Sequence, residues 1–185
     1  MAAIRADLLH FKPVGIYSKL AKSAAEHYIK RQEILNPAAA LPPELSRQQA
    51  CYVSLREKPG NKIRSMYGQI LPTRGLLAEE IIFNTIQAIS ASPSRRVTRP
   101  DLPHLTYSIA LCGPLQRVSS AEHLNPQQFG LYVTSDRGKT ALLLPQRTGI
   151  ETADDQMATA VREAGINPGQ EAITMYRFVV EYDDG

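Results

Sequence analysis

The spacing of apolar residues predicts an amphipathic helix near the start of the chain. Over residues 16–35, apolar side chains recur at a four-residue step, and charged side chains fall between them. The step is formed by Ile16, Leu20, Ala24 and Tyr28. Asn36-Pro37 should end this helix, because a residue that precedes proline is disfavoured in the α region.

A strand and a hairpin turn are predicted next. Residues 50–56 alternate between apolar and polar side chains, which is typical of a half-buried strand. The turn-forming sequence Lys58-Pro59-Gly60-Asn61 follows, so residues 62–71 should return as the hairpin partner. A second helix is predicted over residues 75–90, where leucines and isoleucines form one apolar face.

The rest of the chain favours strands over helices. Residues 92–103 contain three prolines and three arginines, and we interpret them as an exposed loop. Strands are predicted over residues 105–115, 130–134, 140–144 and 173–182. One more helix should begin after Thr152, which resembles a capping residue, and end at Gly165. Hairpins in place of repeated strand–helix units indicate an α+β fold with a mainly antiparallel sheet and flanking helices.

Two cysteines, Cys51 and Cys112, lie within apolar, strand-like runs. Two are too few for a disulfide scaffold or a zinc cluster, so we interpret them as buried, reduced thiols. The sequence contains no run of about 18 to 20 apolar residues that could cross a bilayer. Its first residues, which include Asp7 and His10, lack the apolar core of a secretory signal. We therefore expect a cytoplasmic protein.

The net charge of +3 is unevenly distributed. Residues 1–100 hold fifteen Lys and Arg against seven Asp and Glu, whereas residues 101–185 hold six against eleven. Such asymmetry can mark a nucleic-acid surface. The one basic cluster, Arg95, Arg96 and Arg99, contains no aromatic residue on which bases could stack, so a solvated surface or a contact between the halves is the favoured interpretation.

Short catalytic motifs do not account for a function. The chain has no glycine-rich nucleotide-binding sequence, no His-Glu-x-x-His zinc motif and no nucleophile elbow. The four histidines are far apart and have no carboxylate at ligand spacing, so no metal site is predicted. No cofactor can be identified.

A family resemblance rests on residues 52–68 and on the order of the motifs around them. Tyr52-Val53-Ser54-Leu55 is similar to a strand written F-V-T-L, and Ile63-Arg64-Ser65-Met66-Tyr67-Gly68 is similar to the signature L-R-G-C-I-G that follows it. Further matches of order and spacing are Leu20-Ala21-Lys22-Ser23-Ala24, Leu77-Ala78-Glu79-Glu80-Ile81-Ile82-Phe83-Asn84, Asp101-Leu102-Pro103-His104-Leu105, Gly130-Leu131-Tyr132, Leu143-Leu144-Pro145-Gln146 and Arg162-Glu163-Ala164-Gly165-Ile166. Over residues 16–182 the chain resembles the AMMECR-domain family, also called AmmeMemoRadiSam system protein A.

The resemblance carries expectations about fold and partners. It implies a single domain over residues 1–185, with two unequal lobes that share one core and pack around a continuous antiparallel sheet. Family members commonly occur beside a Memo-like protein and a radical-SAM protein, which implies a shared pathway or complex.

Two segments of this chain, the signature and a segment near residues 91–94, depart from the family pattern. Met66 stands at the position of the family's cysteine, and Ser65 stands at that of its first glycine. The family's acidic D-x-R-F segment falls near residues 91–94, where neither the acid nor the Arg-Phe pair is present. A thioether has no proton to lose, so Met66 cannot act as the nucleophile that a thiol becomes when it ionises.

Two functional hypotheses remain open. In the first, the chain is an enzyme or an enzyme partner that binds an anionic small molecule between the lobes, with Arg64 donating bidentate hydrogen bonds and Gly68 allowing close approach. The structural alternative for these residues is that Arg64 pairs with a nearby acid, Gly68 relieves a bulge and Met66 fills the core. In the second hypothesis, the chain is a non-catalytic binding or scaffold module that has kept the fold and lost the family site. The candidate ligand-binding residues are Arg64, Ser65, Met66, Tyr67, Gly68 and Gln69.

Overall fold

The computed structural model describes residues 15–91 and 96–184. The α-helices in these ranges are α1 (Ile16–Arg31), α2 (Pro43–Ser46), α3 (Leu77–Ser90) and α4 (Ala153–Ala164). The strands are β1 (Cys51–Glu57), β2 (Lys62–Gly68), β3 (Leu105–Cys112), β4 (Gln116–Val118), β5 (Gly130–Ser135), β6 (Thr140–Leu143), β7 (Ile173–Phe178) and β8 (Val180–Asp184). Two 3-10 helices cover Arg99–His104 and Ala121–His123.

The N-terminal lobe is a four-stranded antiparallel sheet with the strand order β2-β1-β3-β8. Helices α1 and α3 cover one face, onto which β1 and β3 direct Val53, Leu55 and Ile109, all fully buried. Helix α3 buries ten of its fourteen residues. Packing of these residues against the sheet therefore contributes more to the stability of α3 than helix propensity does.

Two carboxylates, one half-buried and one fully buried, fix the helices on this lobe. Asp183 of β8 accepts hydrogen bonds at 2.9 Å from the backbone N–H groups of Gly15, Tyr17 and Ser18, so that a distant strand caps the start of α1. Glu80 of α3 is fully buried and accepts the backbone N–H groups of Thr73 and Arg74 at 2.8 Å each. The loop that follows β2 is thereby held against α3.

The C-terminal lobe is a second antiparallel sheet, with the order β4-β7-β5-β6. Helix α4 packs on it through residues such as Ala160 and Val161. The predicted cap is present: the Thr152 hydroxyl accepts the Asp155 N–H at 3.1 Å, and Gly165 ends the helix with a left-handed φ of 64°. Only two of the twelve residues of α4 are buried, so this lobe has the smaller core.

The α+β class and the antiparallel pairing are confirmed, but the single continuous sheet that the resemblance implied is wrong. The predicted strand over residues 173–182 divides at Val179, so that β7 joins one sheet and β8 the other. The predicted strand over 105–115 likewise ends at Cys112, because Gly113 turns to bond the Val179 carbonyl at 2.9 Å and Pro114 has no N–H to donate. A small apolar cluster that includes Cys112 and Phe178 joins the two lobes.

Some element boundaries also differ from the predictions. Helix α1 ends at Arg31, four residues before the predicted end, because Gln32 adopts a left-handed φ of 59° and its N–H bonds the Tyr28 carbonyl. The returning hairpin strand stops at Gly68. The predicted loop over 92–103 contains the start of the first 3-10 helix, while residues 92–95 lie outside the described ranges. None of the helices described is long and apolar enough to cross a membrane.

Candidate functional site

The signature residues lie on β2, the edge strand of the N-terminal sheet. Residues 65–68 pair in order with β1, so that Ser65 is the cross-strand partner of Leu55 and Gly68 is that of Tyr52. The register then shifts, because Ile63 pairs with Arg56 and leaves Arg64 as the extra residue of a β-bulge. A bulge changes the direction of the side chain it carries.

The Arg64 guanidinium binds an acidic partner across the fold. Its Nη1 and Nη2 donate to the two carboxylate oxygens of Asp101 at 3.1 and 3.3 Å. Nη2 also donates to the Arg96 carbonyl at 3.2 Å, and Nη1 lies 3.6 Å from the Glu57 carboxylate. Since only 17% of the Arg64 side chain is exposed, this cation acts as a clamp between the bulge and the segment around the 3-10 helix Arg99–His104.

Asp101 is held in its ionised form by this arrangement. Hydrogen bonds from the Thr98 hydroxyl and backbone N–H, at 2.6 and 2.7 Å, together with the Arg64 guanidinium, lower the pKa of Asp101 to about 2. The Asp101 carboxylate is therefore ionised at neutral pH.

Ser65 and Tyr67 face the helices. Tyr67 packs on the main core and meets the Phe83 ring edge-on, with the ring centroids 6.2 Å apart. The Arg74 guanidinium lies 4.2 Å from the centroid of the same Phe83 ring. The Ser65 hydroxyl oxygen is buried and has no hydrogen-bond partner among the described residues. These two side chains support the strand from its covered side.

Met66 and Gly68 face the other way, because successive side chains of a strand point to opposite faces. Met66 is 42% exposed. Gly68 fits closely against β1: a Cβ at this position would lie 2.4 Å from the Cys51 carbonyl oxygen. Gln69 follows the strand and is exposed. The structure thus divides the candidate residues between two faces and does not bring all of them to one cleft.

Sequence reasoning missed the polar side chains that share a face with Met66. Cross-strand pairing places Met66 beside Ser54, Ser54 beside Ser108, and Ser108 beside Asp184. The Ser108 hydroxyl donates to the Asp184 carboxylate. We call this row, formed by Met66, Ser54, Ser108 and Asp184, the polar face. Alternation in residues 50–56 placed Ser54 away from the core, but the strands that lie beside it cannot be read from local pattern.

The two thiols lie away from solvent, as predicted. Cys51 is fully buried and Cys112 is 3% exposed. Burial raises the pKa of each thiol to about 12, so both are protonated at neutral pH. Asn84 of α3 donates to the Cys51 carbonyl at 3.0 Å and fixes the start of β1. Neither thiol is placed to act as a nucleophile.

The remaining sequence candidates are dispersed. Arg95 lies outside the described residues, Arg96 contributes its carbonyl to the Arg64 clamp, and Arg99 borders an open cleft beside α1. Across residues 15–91 and 96–184, no three His, Cys, Asp or Glu side chains come together as a metal site would require.

The protein is α+β, with two antiparallel sheets and flanking helices. The chain crosses between the sheets where β3 is followed by β4 and where β7 is followed by β8. The signature strand β2 lies at the edge of the N-terminal sheet. A sequence model of the AMMECR1 family matches residues 18–182, and this chain belongs to that family. A Thermotoga maritima relative described only as "Protein" is 30% identical over 167 residues, which cover 89% of this chain and 95% of the relative. A Thermococcus gammatolerans protein is 28% identical over 179 residues, 88% of this chain and 85% of that protein.

Two further comparisons concern length and fold. A Clostridium acetobutylicum protein is 30% identical over 89% of this chain, but the match covers only 35% of its own length. The crystal structure of an uncharacterized protein from Pyrococcus horikoshii superimposes with a TM-score of 0.80 at 23% identity, covering 90% of this chain and 88% of that one. This likeness shows a shared fold.

Proposed function

We propose that this AMMECR1-family chain is a binding module that takes a small polar molecule at its polar face and contributes no thiol chemistry. The observation that carries the proposal is the division of the signature strand between two faces. Met66, at the position of the family's cysteine, points to the polar face, whereas Arg64 is engaged by Asp101 on the other side.

The polar face supplies the groups that such a ligand needs. Asp184 offers an exposed carboxylate at one end of the row, and the exposed Met66 provides an adaptable apolar contact at the other. Ser54 and Ser108 lie between them, are each only 5% exposed, and hold the row together, with the Ser108 hydroxyl bonded to Asp184. Gly68 and Gln69 border this row at the end of β2. We assign Met66 and Gln69 to ligand contact, and Arg64, Ser65, Tyr67 and Gly68 to holding the strand in place.

A thermal-shift screen of amino acids, nucleosides and small carboxylates tests the assignment. We expect a hit whose stabilising shift is abolished by Met66→Arg, because a long charged side chain would occupy the polar face. Ile34→Arg is the matched control, since Ile34 is also an exposed apolar residue and lies just beyond α1. Arg64→Ala should lower the melting temperature but keep the ligand-induced shift.

The opposite pattern would contradict the assignment. If Arg64→Ala abolished the shift and Met66→Arg preserved it, the ligand would lie on the helix side, held by Arg64. If no compound in the screen stabilised the wild type, small-molecule binding at this face would be wrong.

We also propose that the module works beside a partner enzyme, a Memo-like or radical-SAM protein. The family resemblance supports this. In the Clostridium relative, the matching segment is joined to additional chain of about twice its length. Co-expression with each candidate followed by gel filtration tests the proposal. Co-elution is expected with at least one of them, and independent elution from both would contradict it.

A further inference from the structure

A basic cleft lies on the helix side of the N-terminal sheet, away from the polar face. Its volume is about 410 Å³, within the range of small-molecule sites. Helix α1, the turn after β1 and the 3-10 helix Arg99–His104 form its walls. The cleft is therefore built from three segments that are distant in the sequence.

Each of these segments contributes positive charge. Lys22 and Lys30 come from α1, Lys58 from the turn and Arg99 from the 3-10 helix. Glu26 also lines the cleft and binds Lys30 at 2.7 Å, which offsets one of the four cations. Lys22, Glu26 and Lys30 follow each other at four-residue spacing and so share one side of α1. Within the described residues, Lys58 and Arg99 have no side-chain hydrogen bond or ion pair that would neutralise them.

The wall that carries Arg99 is fixed in position. Asp101 of this 3-10 helix bonds both Thr98 and the Arg64 clamp. The Lys58 N–H donates to the His104 carbonyl at 2.8 Å, which ties the turn to the same helix. Ordering a charged wall in advance reduces the entropy cost of binding a ligand.

Three apolar residues complete the lining of the cleft. Pro103 is exposed, whereas Leu102 and Leu105 are 8% and 5% exposed and belong to the main core. We infer that the cleft binds a small organic anion with at least two negative charges, whose charged groups contact Lys22, Lys58 and Arg99 and whose apolar part contacts Pro103. Phosphate esters and polycarboxylates share this chemistry. The inference goes beyond the proposed function, because the polar face is on the opposite side of the sheet.

Isothermal titration at about 50 mM salt tests the inference with ATP, inorganic tripolyphosphate and citrate. The test variant is Lys58→Ala with Arg99→Ala. The matched control, Lys19→Ala with Arg117→Ala, removes one lysine and one arginine that are exposed and lie outside the cleft. Loss of two exposed charge contacts should weaken binding about tenfold, and raising the salt should weaken it further.

The expected result is binding of ATP or citrate to the wild type, weakened in the cleft variant and unchanged in the control. Preference for ATP over citrate would identify a phosphate ester, and the reverse a carboxylate. Tripolyphosphate binding as tightly as ATP would contradict the role of Pro103 in contacting the apolar part of the ligand. Equal weakening in both double variants, no binding by any compound, or tighter binding of duplex DNA than of all three would overturn the inference. Met66→Arg should leave this binding intact, which separates it from the test of the polar face.

Discussion

The two faces of the N-terminal sheet are built from the same strands but are covered differently. On the helix side, Val53, Leu55 and Ile109 are fully buried under α1 and α3. On the polar face, Ser54 and Ser108 are also buried, at 5% exposed each, and they lie in a row between the exposed Asp184 and the exposed Met66. The edge strand β2 therefore packs through Ser65 and Tyr67 and presents Met66 to solvent.

This difference changes how the signature of the family is understood in this chain. Arg64 and Tyr67 stabilise the lobe, Arg64 through an ion pair and Tyr67 through core packing. Met66 is 42% exposed and is the signature residue that we propose contacts a ligand. A motif that is contiguous in sequence can thus combine a structural role and a binding role, and each residue must be tested for its own face.

The largest effect is expected from the buried side of β1. Leu55→Ala should lower the free energy of unfolding by roughly 2–5 kcal/mol, because it leaves a cavity beneath the helices. Met66→Ala on the neighbouring strand should cost less than about 1 kcal/mol, since its side chain is partly in water already. Urea denaturation of both variants measures the difference. Equal losses would show that the two faces are not distinct.

A smaller loss is expected from Gly68→Ala, which tests how closely β2 packs on β1. The new Cβ would lie 2.4 Å from the Cys51 carbonyl oxygen and 2.7 Å from the Tyr52 Cα, so backbone must shift, at a cost of about 1–3 kcal/mol. Gly75→Ala is the matched control, because nothing lies within 4 Å of a Cβ there. A fully stable Gly68→Ala protein would mean that the glycine is not required by packing.

The ion pair between Arg64 and Asp101 should contribute still less to the free energy of unfolding. Arg64→Ala removes a bidentate pair that is partly exposed to solvent, and we expect a loss of about 1–2 kcal/mol by urea denaturation. Arg117→Ala, on the exposed surface of β4, should change stability by less than about 0.5 kcal/mol. A loss no greater than that of Arg117→Ala would leave the clamp without a structural role.

The same clamp has a pH dependence. Because the pKa of folded Asp101 lies near 2, below its usual 3.8, the ionised carboxylate stabilises the fold above pH 3.8, and this contribution disappears as the pH falls from 3.8 toward 2. The stability difference between the wild type and Asp101→Asn should shrink over that window. A difference that stayed constant from pH 5 to pH 2 would contradict the lowered pKa.

Local features of the fold could be predicted from the sequence, because their causes are local. Thr152 and Gly165 bound α4 as their positions predicted, since a cap and a left-handed glycine act on adjacent backbone. The turn at residues 58–61 and the burial of Cys51 and Cys112 were predicted for the same kind of reason. Family membership was also predictable, because it depends on the order of motifs.

Features that depend on distant contacts could not be predicted. The partner of Arg64 lies 37 residues away and the Ser108 partner lies 76 residues away. The alternation of residues 173–182 continues past Val179, so nothing in the pattern signals that β7 and β8 join different sheets. The bulge at Arg64 likewise depends on the register with β1. One pocket was expected to be lined by Arg64, Ser65, Met66, Tyr67 and Gln69, but alternate residues of a strand point to opposite faces.

Thiol labelling most directly tests the claim that β2 exposes Met66 on the polar face and buries Ser65 on the helix side. The folded wild type should be labelled only slowly, because Cys51 and Cys112 are buried and protonated. We predict that Met66→Cys reacts with iodoacetamide at a rate close to that of an exposed thiol. Ser65→Cys should react many times more slowly in the folded protein, because the Ser65 hydroxyl is buried. Similar rates at the two positions, or rapid labelling of the wild type, would contradict the account.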